Sequence, residues 1–342
     1  MPLDISPNLD ALFVRLAHPA RIVITTHQKP DGDAMGSSLA LWHYLQQIGQ
    51  RPVFISPTDY AGFLAWIPGA DQTLVYPDEP ARCDDLIEKA DVVFCLDFGE
   101  LHRAADVGRR IAACNAIKVN IDHHILPQDK AFADYWYRDE KASSTCELVY
   151  DFIFYHNREA LLHTDAATCL YTGLVTDTGA FRYSVTPKVH QVAAHLLGCG
   201  VDVDRVNYHL FSNFSETRTR FLGYALHTCM RVLPQYHTAY FRISQADHRE
   251  FNLQEGDTEG LVNFALGISG VNFAVLLNEQ PEMVKMSFRS LGSFATNEFA
   301  GHFKGGGHHN ASGGKSTVSL AETEARFLAL LEEYKPQLQY EP

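Results

Sequence analysis

Histidine and aspartate residues follow three separate apolar segments in the first half of the chain. They are His27, Asp31 and Asp33 after residues 21–25, Asp97 after 91–96, and Asp122, His123 and His124 at the end of 116–124. Imidazole and carboxylate donors without thiolates suit Mn²⁺, and also Mg²⁺, Co²⁺ or Fe²⁺, better than a structural zinc ion. Two divalent ions roughly 4 Å apart stabilise both the attacking and the leaving oxygen in a displacement at phosphorus. The residue types therefore predict a two-metal centre for phosphoryl chemistry.

The three segments have the β-branched composition of buried strands. A single strand that ends in aspartate more often supplies only a turn or a helix cap, and acids in one loop are commonly just solvated. Three such strands favour a shared site, because they alternate with helical stretches and the carboxyl ends of parallel strands meet at one edge of a sheet. A predicted helix over 166–176 leads into Asp177. This residue is a further acidic candidate, with a helix-end turn before Gly179 as the alternative.

The pattern predicts two domains of the α/β class. The first is expected to be a doubly wound, mainly parallel sheet, and the second a smaller mixed α/β domain across a cleft. We expect the catalytic domain to cover residues 1–190, a helical linker 191–225, and the second domain 226–342. An amphipathic helix is predicted at the start, over 3–18.

The second domain contains two polar features of its own. Alternation along 284–289 buries the apolar residues and turns Lys285, Ser287 and Arg289 to the opposite face. The stretch 305–314 is rich in glycine and includes Gly306, Gly307 and His308. Glycines permit close backbone approach and an anion nest, whereas glycine richness alone is more often a flexible turn. Both interpretations stay open at this point.

Composition excludes several classes of function. The formal net charge is -13 and no run is rich in Lys or Arg, so a long nucleic-acid duplex is a poor partner. No apolar run is long enough for a membrane span and no signal peptide is recognisable, which predicts a cytoplasmic protein without membrane contact. The 7 cysteines are scattered singly, which argues against disulfides. The peptidase HExxH, hydrolase GxSxG and GxxxxGK[ST] phosphate-loop motifs are all absent from the sequence.

Taken together, the motifs resemble those of one known family. The pattern His27-x-x-Pro30-Asp31-x-Asp33-Ala34-x-Gly36-Ser37, then Asp97, Asp122-His123-His124 and Asp177, resembles the four motifs of the DHH phosphoesterases in order. Gly305-Gly306-Gly307-His308, preceded by Ser287-Phe288-Arg289-Ser290, resembles the DHH-associated C-terminal domain. Length and domain pattern are most similar to the NrnA-type branch. That branch degrades very short RNA oligonucleotides and in many members removes the 3′-phosphate of pAp.

The resemblance implies three kinds of site residue. One cation is expected on His27, Asp31 and Asp97, and the other on Asp33, Asp97, His123 and Asp177. His124 would face the scissile phosphate, and Asp122 would orient a histidine ligand. Contacts from the second domain are expected from Arg289, Ser287, Gly306, Gly307 and His308. Arg103, Ser143, Ser144 and Arg182 are further candidate substrate contacts, for which structural hydrogen bonding is an equal alternative.

The expected reaction is hydrolysis by water that the two cations activate. A domain that closes over a terminal nucleotide would favour exonucleolytic action on short single-stranded RNA or on a mononucleotide bisphosphate. The sequence leaves open whether the chain forms a homodimer.

Four alternatives remain. A manganese pyrophosphatase shares the N-terminal motifs, but its C-terminal domain is of another type. Single-strand exonucleases usually carry extra modules and a more basic surface. Cyclic or linear dinucleotide phosphodiesterases are the third alternative, and the cyclic type often has membrane and sensory segments upstream. The fourth is a nucleotide-binding module without catalysis, which the full set of candidate ligands disfavours.

Overall fold

The computed structural model describes residues 4–124, 132–156, 162–254, 256–307 and 309–338. It divides the chain into two compact units between Asn213 and Phe214. The predicted linker 191–225 thus contains the boundary between the units. His308 lies outside the described residues.

The first unit contains a sheet that is parallel except at one edge. Its elements are β1 (Asp4–Ile5), α1 (Leu9–Leu16), β2 (Ile22–Thr25), α2 (Gly32–Gln47), β3 (Val53–Ser56), β4 (Leu74–Val75), α3 (Pro80–Glu88), β5 (Val92–Leu96), α4 (Ala105–Ala113), β6 (Ile117–Asp122), β7 (Tyr135–Arg138), α5 (Thr145–His156), α6 (Thr164–Asp177), α7 (Pro187–Gly198) and α8 (Val203–Asn207). Among the described residues the strand order is β1-β7-β6-β5-β2-β3-β4, and β1 alone runs antiparallel to its neighbour.

Helices cover both faces of this sheet, so the doubly wound α/β prediction is confirmed. Ile24 and Phe94 pack on one face in a core shared with α1, α2, α5 and α6. Val23 and Val93 pack on the other with Ile87 of α3 and residues of α4. A strand that is buried on both faces is mainly apolar, which is why β2 and β5 are apolar runs except at Thr25, whose hydroxyl donates to the Ile55 carbonyl.

The predicted helix over 3–18 is wrong at its beginning. Pro7 has no N–H to donate and Asn8 precedes the first helical turn, so α1 begins only at Leu9. The residues before it form β1, where Ile5 pairs with Tyr137 of β7. Neither of these two strands was predicted, because their pairing depends on contacts between distant parts of the chain.

The second unit is a mixed sheet with helices on both sides. Its elements are α9 (Glu216–Tyr224), β8 (Met230–Leu233), β9 (Thr238–Ile243), α10 (Gln245–Glu250), α11 (Leu261–Leu266), β10 (Phe273–Glu279), β11 (Val284–Ser290), α12 (Thr296–Gly301), β12 (Gly306–Gly307), β13 (Ala311–Ser316) and α13 (Leu320–Tyr334). In the described part of the chain the order is β12-β13-β11-β10-β9-β8, with only β9 and β10 parallel. The second mixed α/β sheet is therefore confirmed.

The described part of the glycine-rich stretch contributes to two strands of this sheet, β12 and β13. Gly306 pairs with Gly313 and Gly307 with Ser312. A side chain at Gly305 would overlap the backbone carbonyl of Gly313, so the close approach of two strands requires glycine there. Among the described helices, none combines the length and the apolar character that crossing a lipid bilayer requires.

Candidate metal centre

Three neighbouring parallel strands bring the predicted donor residues to one edge of the first sheet. Val92 of β5 pairs with Ile22 of β2 on one side and with Ile117 of β6 on the other, so the three strands end side by side. The hydroxyl of Thr26 donates to the Leu96 carbonyl at 2.9 Å, which ties the end of β2 to that of β5. His27, Asp97 and the Asp122–His124 segment therefore leave the sheet at the same level.

Asp97 lies at the centre of the cluster with its backbone in an unusual conformation. Its φ angle is 65°, in the left-handed region that non-glycine residues seldom adopt, and its N–H donates to the Ile121 carbonyl at 3.0 Å. Asp97 Oδ2 lies 3.3 Å from His27 Nε2, whereas Asp97 Oδ1 lies 3.5 Å from His123 Nε2. The two oxygens of one carboxylate thus face two different histidines, an arrangement that allows one side chain to be shared by two cations.

Both histidines present the Nε2 nitrogen to the carboxylates. His27 Nδ1 lies 2.9 Å from the Gln28 carbonyl and His123 Nδ1 lies 3.3 Å from that of Ala142. A carbonyl can only accept, so Nδ1 carries the proton in both rings and Nε2 keeps its lone pair when the ring is neutral. This backbone contact is the arrangement that orients a histidine for metal binding.

Asp31 combines a structural contact with a place in the donor cluster. Its Oδ1 accepts the N–H groups of Asp33 and Ala34, each at 3.0 Å, and so caps α2. It also forms, with His27 and Asp97, a group whose donor atoms lie within 4.8 Å of one another. A cap and a candidate ligand are therefore the same residue here.

The remaining donors form a second group around His123. His123 Nε2 lies 3.3 Å from Asp177 Oδ2, at the end of α6, and 3.8 Å from Asp33 Oδ2. Asp33, His123 and Asp177 again have donor atoms within 4.8 Å of one another. Every residue that was predicted to bind a cation therefore belongs to one of these two groups. Both groups have the donor chemistry of a divalent-cation site, and neither contains a cysteine.

Asp122 is turned towards His124. Its Oδ1 lies 2.8 Å from His124 Nδ1 and also accepts the His124 N–H at 3.2 Å. Buried Asp122 Oδ2 has no hydrogen-bond partner among the described residues. Burial lowers the pKa of His124, but the charge and hydrogen bond of Asp122 and the charge of Asp97 outweigh it and raise the pKa to about 9. Asp122 thus orients the second histidine of the pair, not His123. His124 also forms a third close group with Asp97 and His123.

The cluster concentrates negative charge away from water. Burial, together with the charges of Asp97 and Asp31, raises the pKa of Asp33 well above its ordinary value. Burial also acts to raise the pKa of Asp97, but the hydrogen bond from His27 and the charges of the three histidines outweigh it and lower that pKa. A divalent cation would supply the positive charge that these buried carboxylates lack.

Sequence reasoning missed the role of the first turn of α5. The Thr145 and Cys146 amides donate to Asp33 Oδ2 and Oδ1 at 2.6 and 2.9 Å, and the Thr145 hydroxyl donates to Asp97 Oδ1 at 2.8 Å. The helix-start pattern Ser144-x-x-Glu147 signals that free amides occur here. It carries no information about which distant carboxylates accept them.

Glycines allow α2 and α6 to approach each other at the site. A Cβ at Gly36 would lie 2.5 Å from the Cys169 carbonyl oxygen. A Cβ at Gly173 would overlap Cys146 Sγ and lie 2.8 Å from Asp33 Oδ1. This packing fixes α2, which carries Asp33, against α6, which ends at Asp177.

The candidate substrate contacts of the first unit differ in their surroundings. Burial lowers the pKa of His27, but the hydrogen bond with Asp97 and the charges of Asp31 and Asp97 outweigh it and raise that pKa. Arg103, in the short helical turn Leu101–Ala104, is close enough to His27 and His124 for its charge to act against the rise in pKa of both rings. Ser144 caps α5 by accepting the Glu147 N–H at 3.1 Å. Ser143 donates its N–H and its hydroxyl to the Glu147 carboxylate, each at 2.8 Å. The two serines thus have structural contacts, and Arg182 is exposed after α6.

The remaining candidates belong to the second unit. Ser287 and Arg289 point to the face of β11 opposite buried Met286 and Phe288, as the alternation predicted. Arg289 Nη1 donates to the Phe288 carbonyl at 2.9 Å. Gly306 and Gly307 form β12.

A parallel α/β sheet with imidazoles and carboxylates at its carboxyl edge places the chain in the class of open α/β proteins whose ligand sites lie at the strand ends. Residues 21–174 match the DHH family N-terminal domain and residues 234–335 match the DHHA1 domain. The chain belongs to the DHH family and is a phosphoester hydrolase. The resemblance seen in the sequence is thereby confirmed.

Three relatives illustrate the similarity. The bifunctional oligoribonuclease and PAP phosphatase NrnA of Thermus thermophilus is 29% identical over 322 residues, which cover 93% of this chain and 90% of the relative. The protein of the same name from Bacillus subtilis is 28% identical over 318 residues, 91% of this chain and 93% of the relative. The crystal structure of an exopolyphosphatase-related protein from Bacteroides fragilis is 37% identical, covers 98% of each chain and has a TM-score of 0.91.

Proposed function

We propose that this chain hydrolyses short oligoribonucleotides from an end, and the 3′-phosphate of pAp, with two divalent cations in the cluster at the sheet edge. The observation that carries the proposal is the position of Asp97, whose two carboxylate oxygens face His27 and His123 separately. A single cation would need only one of the two donor groups, either the one with His27 or the one with His123. A carboxylate that lies in one group and presents its other oxygen to the histidine of the second group is the arrangement of a two-cation centre.

Six residues would hold the cations. His27, Asp31 and Asp97 would bind one, and Asp33, Asp97, His123 and Asp177 the other. Imidazole and carboxylate donors favour Mn²⁺, with Mg²⁺, Co²⁺ and Fe²⁺ as alternatives. When bound, two such ions lower the pKa of water and neutralise charge on the phosphoryl oxygens.

His124 would act on the substrate. Asp122 orients this ring through Nδ1, and the ring would donate a hydrogen bond to the phosphate or to the leaving oxygen. Arg103 would add positive charge near His27 and His124. In the second domain, Arg289 and Ser287, with Gly306, Gly307 and His308, would bind the other phosphate or the terminal nucleotide.

The relatives support the choice of substrate. Two proteins that align with about nine tenths of this chain are named bifunctional oligoribonuclease and PAP phosphatase. The net charge of -13 supports a small substrate, because a long duplex needs many basic contacts. Capture of a chain end explains preference for short RNA without any reading of sequence.

A panel of substrates tests the proposal. Purified protein is stripped with chelator, reloaded with Mn²⁺, Mg²⁺ or Co²⁺, and assayed on di-, tri- and pentaribonucleotides, a long single-stranded RNA, pAp, pyrophosphate and a cyclic dinucleotide. We expect turnover only with cation, fastest on the short RNAs and pAp. Preference for pyrophosphate or the cyclic dinucleotide would identify one of the alternatives, and equal turnover of a dinucleotide and internal cleavage of the long RNA would refute capture of an end.

A second candidate substrate is inorganic polyphosphate. The observation in its favour is the 37% identity with a protein described as exopolyphosphatase-related. Tripolyphosphate is therefore included in the same panel. If tripolyphosphate were hydrolysed faster than the dinucleotide, polyphosphate would be the preferred substrate.

A further inference from the structure

The first turn of α5 contacts two of the proposed cation ligands at once. Thr145 is fully buried, its N–H donates to Asp33 Oδ2 at 2.6 Å, and its hydroxyl donates to Asp97 Oδ1 at 2.8 Å. The next N–H, from Cys146, donates to the other Asp33 oxygen at 2.9 Å. Both oxygens of Asp33 and one of Asp97 are thus bound to consecutive residues of a single helix.

This helix start is itself held in place. The Ser144 hydroxyl accepts the Glu147 N–H, and the Glu147 carboxylate accepts the N–H and the hydroxyl of Ser143. Lys188 Nζ, on α7, lies 3.1 Å from Glu147 Oε1. A helix start that is capped by its own side chains and also contacts a neighbouring helix is rigid. Its free N–H groups therefore point in a fixed direction and can support other groups.

The hydroxyl of Thr145 donates to Asp97, whereas the two amides donate only to Asp33. Any residue at position 145 except proline would supply the N–H that binds Asp33, but the bond to Asp97 needs a hydroxyl on the side chain. That bond ends on Asp97 Oδ1, the oxygen that lies 3.5 Å from His123 Nε2. It therefore sets the direction of the oxygen that the His123 group would use.

We propose that Thr145 is a positioning residue of the phosphoesterase site, whose hydroxyl and amide hold Asp97 and Asp33 in the relative arrangement that binds the second cation. The inference rests on the proposed function, because it requires both aspartates to be ligands. Thr145 itself touches neither substrate nor water in this scheme. Partners that orient metal ligands typically change metal affinity or activity by roughly 10- to 100-fold when they are removed.

Variants at this position separate the hydroxyl from the packing. Thr145→Val keeps the β-branched shape and deletes the hydroxyl, Thr145→Ala deletes it without a methyl that could clash, and Thr145→Ser keeps it. The matched control is Thr172→Val, at a fully buried helical threonine whose hydroxyl donates only to the Thr168 carbonyl among the hydrogen bonds of the described residues. Circular dichroism of the metal-free proteins checks folding, and unfolding temperatures within about 5 °C of wild type are expected.

Two measurements are made on each protein. Calorimetric titration of metal-free protein with Mn²⁺ should show binding weakened about 10- to 100-fold for the second cation in the valine and alanine variants. Turnover of a dinucleotide should show a comparable loss in kcat, with KM within about 3-fold of wild type. Thr145→Ser should stay within about 3-fold in both measurements, and the Thr172 control within about 2-fold.

The outcomes distinguish this inference from the proposed function. Wild-type Mn²⁺ affinity and kcat in both deletion variants would overturn the role of Thr145 while leaving the two-cation site intact. A serine variant as impaired as the valine variant would also overturn it, since the hydroxyl is retained. If wild-type protein itself bound no divalent cation, the two-cation proposal would fail before the variants were compared.

Discussion

Replacement of Asp97 by asparagine tests the two-cation centre most directly. Asparagine is the suitable change because Asp97 has a φ angle of 65°, and asparagine tolerates the left-handed region better than alanine does. The Thr145 hydroxyl can still donate to the remaining amide oxygen. The variant should therefore keep the backbone and lose only one charge and one oxygen donor.

The size of the effect follows from the charges in the cluster. Asp31, Asp33, Asp97 and Asp177 contribute four carboxylates to the two donor groups that would hold the cations. Two divalent cations carry four positive charges, so the wild-type centre balances and the variant leaves one positive charge uncompensated. The amide nitrogen also replaces the oxygen that faces either His27 or His123. We expect kcat to fall by at least about 10³-fold, which corresponds to about 4 kcal/mol.

The assay combines turnover with cation binding. Calorimetry should show two Mn²⁺ sites in wild type and at most one of comparable affinity in Asp97→Asn, and every phosphate ester in the panel should lose turnover. The control is Asp247→Asn in the second unit, where the carboxylate accepts the N–H and hydroxyl of Ser244 in a helix cap. This control should lose stability but not cation binding. Two sites and turnover within 10-fold of wild type in the Asp97 variant would refute the shared-ligand argument.

Three further changes test separate features. Gly173→Ala places a methyl 2.8 Å from Asp33 Oδ1; we expect a loss of about 1–3 kcal/mol in the free energy of unfolding and weaker Mn²⁺ binding, measured by urea titration and calorimetry. Arg289→Ala should raise KM at least about 10-fold with kcat within about 3-fold, and unchanged KM on every ester would show that its assigned role is wrong. Hydrogen bonds from Arg21 lower the pKa of Asp91 to about 2. Because that pKa lies below the unfolded value, the carboxylate stabilises the fold above about pH 4, and this contribution is lost as the pH falls towards 2. Asp91→Asn should thus lower the free energy of unfolding by about 1 kcal/mol at pH 7, a figure that allows for the exposure of the ion pair to water. Urea titrations should show a smaller loss of this free energy near pH 3.

The sequence was informative where one local pattern determines a position in space. Apolar runs identified β2 and β5 as buried parallel strands, and β6 repeats the pattern with Lys118 and Asn120 between its apolar residues; such strands end at one edge of a sheet. Residues that directly follow those strands must then lie near one another. This is why His27 and Asp97 could be placed together although 70 residues separate them in the chain, and their Nε2 and Oδ2 atoms are 3.3 Å apart.

Contacts that depend on packing between distant helices could not be predicted in the same way. Thr145 and Asp33 are separated by 112 positions, and their hydrogen bond exists because α5 and α2 meet against α6. Nothing local in 143–147 distinguishes an amide that binds a ligand carboxylate from one that binds water. The pairing of β1 with β7 was missed for the same reason, since strands of two and four residues carry almost no pattern of their own.

The structural and the functional interpretations of the acidic residues turn out not to exclude each other. Asp31 caps α2 and lies in the His27 group, and Asp33 accepts two amides of α5 and lies in the His123 group. Each carboxylate has two oxygens with several lone pairs, so it can hold a helix end and still present an oxygen to a cation. Helix starts that are attached to ligands in this way bring the ligands into place as the helices pack. Whether such an aspartate caps a helix therefore does not decide whether it binds a cation. The informative sequence signal is that several strands end in histidine or aspartate at one edge of the sheet.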